Sequence, residues 1–186
     1  MEGKDQKKIS KFLSLVLRHQ PQIIGIKLDA QGWANVEELI HKINAKGRSL
    51  DFVTLEQVVE TNDKKRFGFN NDKTKIRANQ GHSIDINLGY VSKTPPEVLY
   101  HGTGSKYVNS IYKSGIQKQS RHHVHLSKDL KTAISVGQRH GKPVVLEILT
   151  EKMMHEGFEF FESENGVWLT DEVPVGYFKK LEEGVR

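Results

Sequence analysis

The sequence predicts an α+β protein in two lobes: a helical first half closed by a basic hairpin, and a second half of short strands and helices. Three observations carry that expectation. Apolar residues recur at helical spacing through the first sixty positions. Between Lys64 and Arg77 lie six basic residues and one acid, around a turn-forming Asn70-Asn71-Asp72. Beyond residue 92 the texture changes to short apolar runs, "VLYHGT", "VHLS", "PVVLEIL", "FEFFES" and "GVWLTDEVP", separated by glycine, proline and polar turns.

Ile9, Phe12, Leu13, Val16 and Leu17 follow the i, i+3, i+4, i+7, i+8 pattern of an amphipathic helix. Pro21 ends it, because the residue before a proline is pushed out of the helical region. Asn35-Val36-Glu37-Glu38 reads as an N-cap with Glu at the third helical position, opening a helix through Ala45. Thr54-Leu55-Glu56-Gln57 repeats the signal, with Val58 and Val59 behind it. Then "KRFGFNNDKTKIRANQG" gives two short strands around a turn. Three helices followed by a basic hairpin is the order of a winged helix, a nucleic-acid-binding module, so residues 1–92 are expected to form a winged-helix-like lobe. "GYVSKTPPE", residues 89–97, breaks the periodicity and places the boundary, leaving 93–186 as the second lobe. Within it, helices are expected at 107–114 and 130–138.

The chain of 186 residues can bury a proper core, and its 36% hydrophobic and 27% charged content is that of an ordinary folded protein. No apolar run reaches the roughly 18–20 residues needed to span a membrane. The opening "MEGKDQKKIS" lacks the apolar core of a signal peptide. The absence of cysteine excludes disulfides, thiolate metal sites and a cysteine nucleophile. A soluble, cytoplasmic protein, monomeric and without a membrane partner, is the expectation. Net charge is +5, of which +4 falls in residues 1–92 and +1 in 93–186. A polyanion such as RNA or DNA suits the patch at 64–77, against the alternative of a solvated surface face.

Four stretches could carry chemistry. "SRHHVHLS", residues 120–127, concentrates three histidines and an arginine. Read as a strand, it puts Arg121, His123, His125 and Ser127 on one face and His122, Val124 and Leu126 on the other. Two histidines could ligate zinc, but a guanidinium beside them disfavours a cation, and no HExxH or nearby carboxylate completes a set; no metal is expected. An anionic ligand fits better, since arginine grips phosphate as a fork while histidine and serine add hydrogen bonds. "LYHGTG" runs an apolar strand into His101-Gly102-Thr103, where glycine lets backbone approach a ligand closely, unless His101 merely ends a strand. "LRHQP" puts Arg18 and His19 at a helix C-terminus, where cations also gain from the macrodipole. Arg66 opens the basic hairpin. Trp33 and Trp168 read as core residues rather than base-stacking platforms.

Taken together, and in this order, "LRHQP", "KRFGF", "LYHGT", "RHHVHLS", "VGQRHGKPVVLEI" and "NGVWLTDEVP" resemble the RNA 2′-phosphotransferase (KptA) family over residues 9–177. The resemblance implies a winged-helix RNA lobe joined to an ADP-ribosyltransferase-like lobe. It implies transfer of an internal RNA 2′-monophosphate to NAD, giving RNA with a 2′-hydroxyl, ADP-ribose 1″,2″-cyclic phosphate and nicotinamide. The family's catalytic Arg-His pair and two further arginines fall on Arg18, His19, Arg66 and Arg121. The first two positions of the three-strand signature of ADP-ribosyltransferases fall on His101 and His125. The third falls on Val167, where protein-modifying relatives carry Glu; a carboxylate there would repel a phosphate nucleophile.

On that basis His101, Gly102, Thr103, His125 and Ser127 are expected to form the NAD pocket. Arg139 and His140 meet NAD phosphates or RNA, or else form a polar turn before the strand at 144–149. Lys64, Lys65, Lys73, Lys75 and Arg77 are expected on the RNA backbone, where contacts position without reading sequence. His19 either transfers a proton or only binds phosphate, and His123 receives no role. The alternative function is ADP-ribosylation of terminal phosphates of RNA or DNA, stopping after the first step.

Overall fold

In the computed structural model, which describes residues 2–181, the chain divides into one compact unit ending at Gly89 and another beginning at Tyr90. Each unit has its own apolar core. Every strand pairing among the described residues is antiparallel, and the architecture is α+β.

In the first unit, α1 (Glu2–Arg18) buries Leu13, Val16 and Leu17, the apolar stripe its spacing predicts. A two-residue strand β1 (Ala34–Asn35) leads into α2 (Val36–Ala45), where the Asn35 side chain accepts the Glu38 N–H at 2.8 Å. The next helix, α3 (Phe52–Glu60), starts earlier than Thr54 suggests. Its N-cap is Asp51, whose carboxylate accepts the Thr54 N–H at 2.7 Å; Thr54 stands at the third helical position, a donor rather than the cap. Strands β2 (Phe67–Phe69) and β3 (Lys75–Ala78) form the hairpin, and β1 pairs with β3 to give the order β1-β3-β2. Two residues are too few to show period-two alternation, so β1 is silent in the sequence. Trp33 lies outside the core: it is partly exposed, with the Arg77 guanidinium 4.5 Å from its ring centroid.

The second unit comprises β4 (Val98–Gly104), α4 (Val108–Ser114), β5 (Ile116–Gln117), β6 (Val124–Leu126), α5 (Leu130–Gly137) and β7 (Pro143–Leu149). There follow α6 (Thr150–His155), β8 (Phe161–Glu162), β9 (Trp168–Thr170), β10 (Glu172–Val173) and β11 (Phe178–Lys180). The sheets run β11-β7-β4, β6-β9-β8 and β10-β5. Tyr100 and Ser127 exchange two 2.8 Å backbone hydrogen bonds, which ties β4 to the end of β6. Leu99, Leu126, Leu146, Ile148, Met153, Phe160 and Trp168 fill the core.

Two expected strands are cut short. "FEFFES" is extended as a paired strand only at Phe161–Glu162, because Phe160 turns into the core and is 1% exposed. "GVWLTDEVP" divides at Asp171, its first part pairing with β6 and β8 and its second with β5.

Helix α5 lies directly on β4. A Cβ on Gly102 would stand 1.8 Å from the Ala133 carbonyl oxygen, and one on Gly104 would stand 2.4 Å from the His140 carbonyl oxygen. The close approach expected of Gly102 is therefore made by a helix backbone, which leaves no room for any larger residue.

Candidate active site

Each unit carries a cluster of the residues singled out in the sequence. In the first, α1 ends at Arg18, and both His19 and Gln20 donate their N–H groups to the Leu15 carbonyl. The segment 79–83, leaving β3, straps across that helix end. Ser83 donates its N–H to the Arg18 carbonyl at 3.0 Å. Asn79 donates its N–H to the Arg66 carbonyl at 2.9 Å and its side-chain amide to the Lys65 carbonyl at 2.8 Å. Arg18 Nη2 donates to the same Arg66 carbonyl at 3.3 Å. Arg66 Nη1 in turn donates to the Asn62 side chain at 3.3 Å. His19 Nδ1 lies 2.9 Å from Ser83 Oγ.

Arg18 and Arg66 are thus joined through the Arg66 carbonyl, and Ser83 ties His19 to Arg18, at the negative end of a helix dipole that favours cations. Arg18 and Arg66 are half-buried; His19 is exposed. Asn62, Asn79 and Ser83 are the residues that sequence reasoning missed. In the sequence they are ordinary turn formers, and only the "NQGHS" run after the hairpin hints at a tight strap.

The expected RNA-contacting residues of this unit divide. Lys73 pairs with Glu56 at 2.5 Å, and that hydrogen bond and charge push the lysine pKa up. Lys75 pairs with Asp29 at 3.2 Å, and Arg77 covers Trp33. Lys64 and Lys65 are exposed. Exposed ion pairs are worth about 0–1 kcal/mol, so phosphate can exchange for either carboxylate at small cost.

In the second unit, residues 120–127 are not one strand. The chain turns at 118–121, where Arg121 donates its N–H to the Lys118 carbonyl and Gln119 takes φ 55°, and β6 begins only at Val124. Alternation therefore does not place Arg121 and His123 beside His125. The turn does so for Arg121: its Nη1 lies 3.2 Å from His125 Nδ1. A guanidinium only donates, so His125 Nδ1 accepts and the ring is neutral with its proton on Nε2. His123 instead packs edge-on against Phe161 and Tyr90, at 5.5 and 6.0 Å between centroids, and burial pushes its pKa down. It shares no hydrogen bond with the anion-binding side chains among the described residues.

His101, on β4, has Nδ1 3.1 Å from the His125 carbonyl oxygen. That oxygen can only accept, so Nδ1 carries the proton and Nε2 presents a lone pair. Burial lowers the His101 pKa, with the charges of Arg121 and His140 pushing the same way against the raising effect of the His125 carbonyl. The ring is neutral near pH 7, in the tautomer opposite to that of His125. Arg121 feels burial first and then the like charge of Arg139, both of which lower its pKa. An arginine stays charged regardless.

Arg139 and His140 form a 3-10 turn (Gln138–His140) after α5, with His140 edge-on to Tyr107. Among the described residues, neither Arg121 nor Arg139 is ion-paired with a carboxylate. Thr103 follows His101 by two residues on β4 and is buried; Ser127 follows His125 by two and is held by Tyr100. Val167 precedes β9, its N–H donating to Ser163 Oγ at 3.0 Å. The result is a group of two unneutralised guanidiniums and two neutral imidazoles, suited to an anion bearing hydroxyl groups. Among the described residues no group of three or more His, Asp or Glu could hold a metal ion, and no helix is long and apolar enough to cross a membrane.

Comparison with known proteins gives the family of the chain. The model of the RNA 2′-phosphotransferase, Tpt1 / KptA family matches residues 4–172. A protein of Flavobacterium johnsoniae named probable RNA 2′-phosphotransferase is 58% identical over 93% of this chain and 95% of its own length. Proteins of the same name from Fusobacterium nucleatum and Pseudomonas syringae are 56% and 47% identical, the latter across the whole of both chains. Matched from end to end by such relatives, the chain belongs to the RNA 2′-phosphotransferase, Tpt1 / KptA family.

Proposed function

We propose that this protein is an NAD-dependent RNA 2′-phosphotransferase. It moves an internal 2′-monophosphate from RNA to NAD, leaving an RNA 2′-hydroxyl, ADP-ribose 1″,2″-cyclic phosphate and nicotinamide. The observation that carries the reading is the gathering of Arg18, His19 and Arg66 at one helix end, in a chain of this family. The first unit is read as a winged-helix-like RNA lobe, supported by its order of helix, short strand, two helices and basic hairpin. The second is read as an ADP-ribosyltransferase-like lobe, supported by His101 on β4 and His125 on β6, with Val167 immediately before β9. We take the protein to act as a cytoplasmic monomer, in RNA processing such as tRNA splicing.

NAD is a substrate here, and the residues of the second unit suit it. Its diphosphate fits the unneutralised Arg139. Its ribose hydroxyls are donors that fit the bare Nε2 of a neutral His101, with His125, Thr103 and Ser127 nearby in sequence on the same strands.

In the first step the RNA 2′-phosphate attacks the ribose C1″ and nicotinamide leaves. The nucleophile is already anionic, so the step asks for positioning rather than a base, and Val167 places no carboxylate against it. Arg18 and Arg66 bind the phosphate, and Arg121 is the further catalytic arginine that the family resemblance assigns. In the second step the 2″-hydroxyl attacks phosphorus and displaces the RNA 2′-oxygen, while arginine stabilises charge on the phosphoryl oxygens and His19 handles the proton.

The test is mass spectrometry of products from NAD and an oligoribonucleotide with one internal 2′-phosphate. Cyclic phosphate and a 2′-hydroxyl support the proposal. ADP-ribosylated RNA that persists supports the alternative, an ADP-ribosyltransferase acting on phosphate ends of RNA or DNA.

A further inference from the structure

We propose that Ser83 is a positioning residue that holds His19 in the one ring orientation its chemistry requires; the inference rests on the role given to His19 above. Ser83 closes the strap at 79–83. Its N–H donates to the Arg18 carbonyl at 3.0 Å, so its backbone is fixed on the last turn of α1, directly before His19. Its Oγ lies 2.9 Å from His19 Nδ1. With Nδ1 engaged by Ser83, we assign the proton transfer to Nε2, across the ring.

The side-chain chemistry suits the cycle. As imidazolium, His19 donates Nδ1–H to the Ser83 oxygen. After losing the Nε2 proton it keeps the same Nδ1–H bond, so the ring neither rotates nor changes tautomer between proton release and recovery. A carboxylate at position 83 would orient the ring equally well, as in catalytic triads, but would set a negative charge beside an anionic phosphate. Serine orients without charge. In the second step the 2″-oxygen bonds to phosphorus and the bond from phosphorus to the RNA 2′-oxygen breaks. That oxygen takes the proton from His19 Nε2, the 2″-hydroxyl proton passes to water, and water returns a proton to His19.

Single-turnover reactions of the full chain, with NAD and 2′-phosphorylated RNA, resolve formation and decay of the ADP-ribosylated RNA. Ser83→Ala is expected to slow decay about tenfold while leaving formation and the KM for NAD unchanged, and Ser83→Thr to recover most of the loss. Nitrogen-15 NMR is expected to find His19 protonated on Nδ1 when neutral, and a tautomer mixture in Ser83→Ala. Decay at the wild-type rate in Ser83→Ala, or formation and decay slowed alike, overturns the proposal. If Ser83→Ala fails to fold, as judged by circular dichroism, Ser83→Cys replaces it, keeping the size with a much weaker hydrogen bond. A wild-type chain that never consumes the phosphate would count against the functional reading instead, and the His19 tautomer would still test the Ser83 contact.

Discussion

Arg121 Nη1 stands 3.2 Å from His125 Nδ1, and because the guanidinium can only donate, the contact fixes His125 as the neutral Nε2–H tautomer. One turn of chain thus sets an arginine's direction and a histidine's protonation together. Removing the arginine should remove both. Arg121→Ala is expected to cut phosphate removal by roughly 10²–10³-fold, the usual cost of one preorganised electrostatic group, with the fold intact. Arg121→Lys should recover only part, since an ammonium lacks the fork. Steady-state turnover checks this, and near-normal activity in Arg121→Ala would remove Arg121 from the site.

His19→Ala should separate the two steps. In the proposed reaction the first needs no proton transfer from the protein and the second does, so ADP-ribosylated RNA should accumulate in the variant. Gel analysis of a time course reads the intermediate directly. A phosphate that disappears with no build-up would leave His19 as a phosphate ligand only.

The acid sensitivity of the fold should depend on His101. Its pKa in the folded protein is depressed, chiefly by burial, so the unfolded chain binds its proton first as pH falls. Stability contributed by the neutral ring is present above the unfolded value near 6.5 and is lost as pH drops below it, with a slope of at most about 1.4 kcal/mol per pH unit. His101→Asn keeps a donor for the His125 carbonyl but cannot titrate. It should lose less stability than wild type between pH 7 and pH 5 in denaturant titrations. Equal losses would show that His101 is not a depressed group.

The packing of α5 on β4 makes a sharper demand. Gly102→Ala sets a methyl 1.8 Å from the Ala133 carbonyl oxygen, a backbone atom that cannot step aside without moving the helix. A loss of about 1–3 kcal/mol or more is expected from such overpacking, measured by thermal or chemical unfolding. A neutral substitution would mean that α5 does not lie where described.

The helix caps show what sequence carries and what it does not. Asn35 is legible because its side chain, the acidic first turn and the apolar stripe behind it all agree. Thr54 and Gln57 imitate a capping box, but an aspartate three residues earlier competes for the same helix end and wins. Asp51→Ala should cost about 1 kcal/mol and Thr54→Ala less. The candidate site residues stand out in the sequence by type, through "LRHQP" and "RHHVHLS", and less so by geometry. Period-two alternation assigned Arg121 to a strand face, whereas a turn delivers it. Ser83 and Asn79 were invisible because their partners, a ring nitrogen and a backbone carbonyl, lie 64 and 14 residues away, and Asn62 because its partner is the side chain of Arg66, four residues on in an irregular turn.

Following the phosphorus atom itself separates transfer from every simpler outcome. An oligoribonucleotide whose internal 2′-phosphate carries phosphorus-32 is incubated with the protein and NAD, and the labelled product is identified. All of the label should move to ADP-ribose 1″,2″-cyclic phosphate, with one nicotinamide released per 2′-hydroxyl formed. Label in inorganic phosphate, or label that stays on the RNA while nicotinamide is released, would contradict phosphate transfer to NAD.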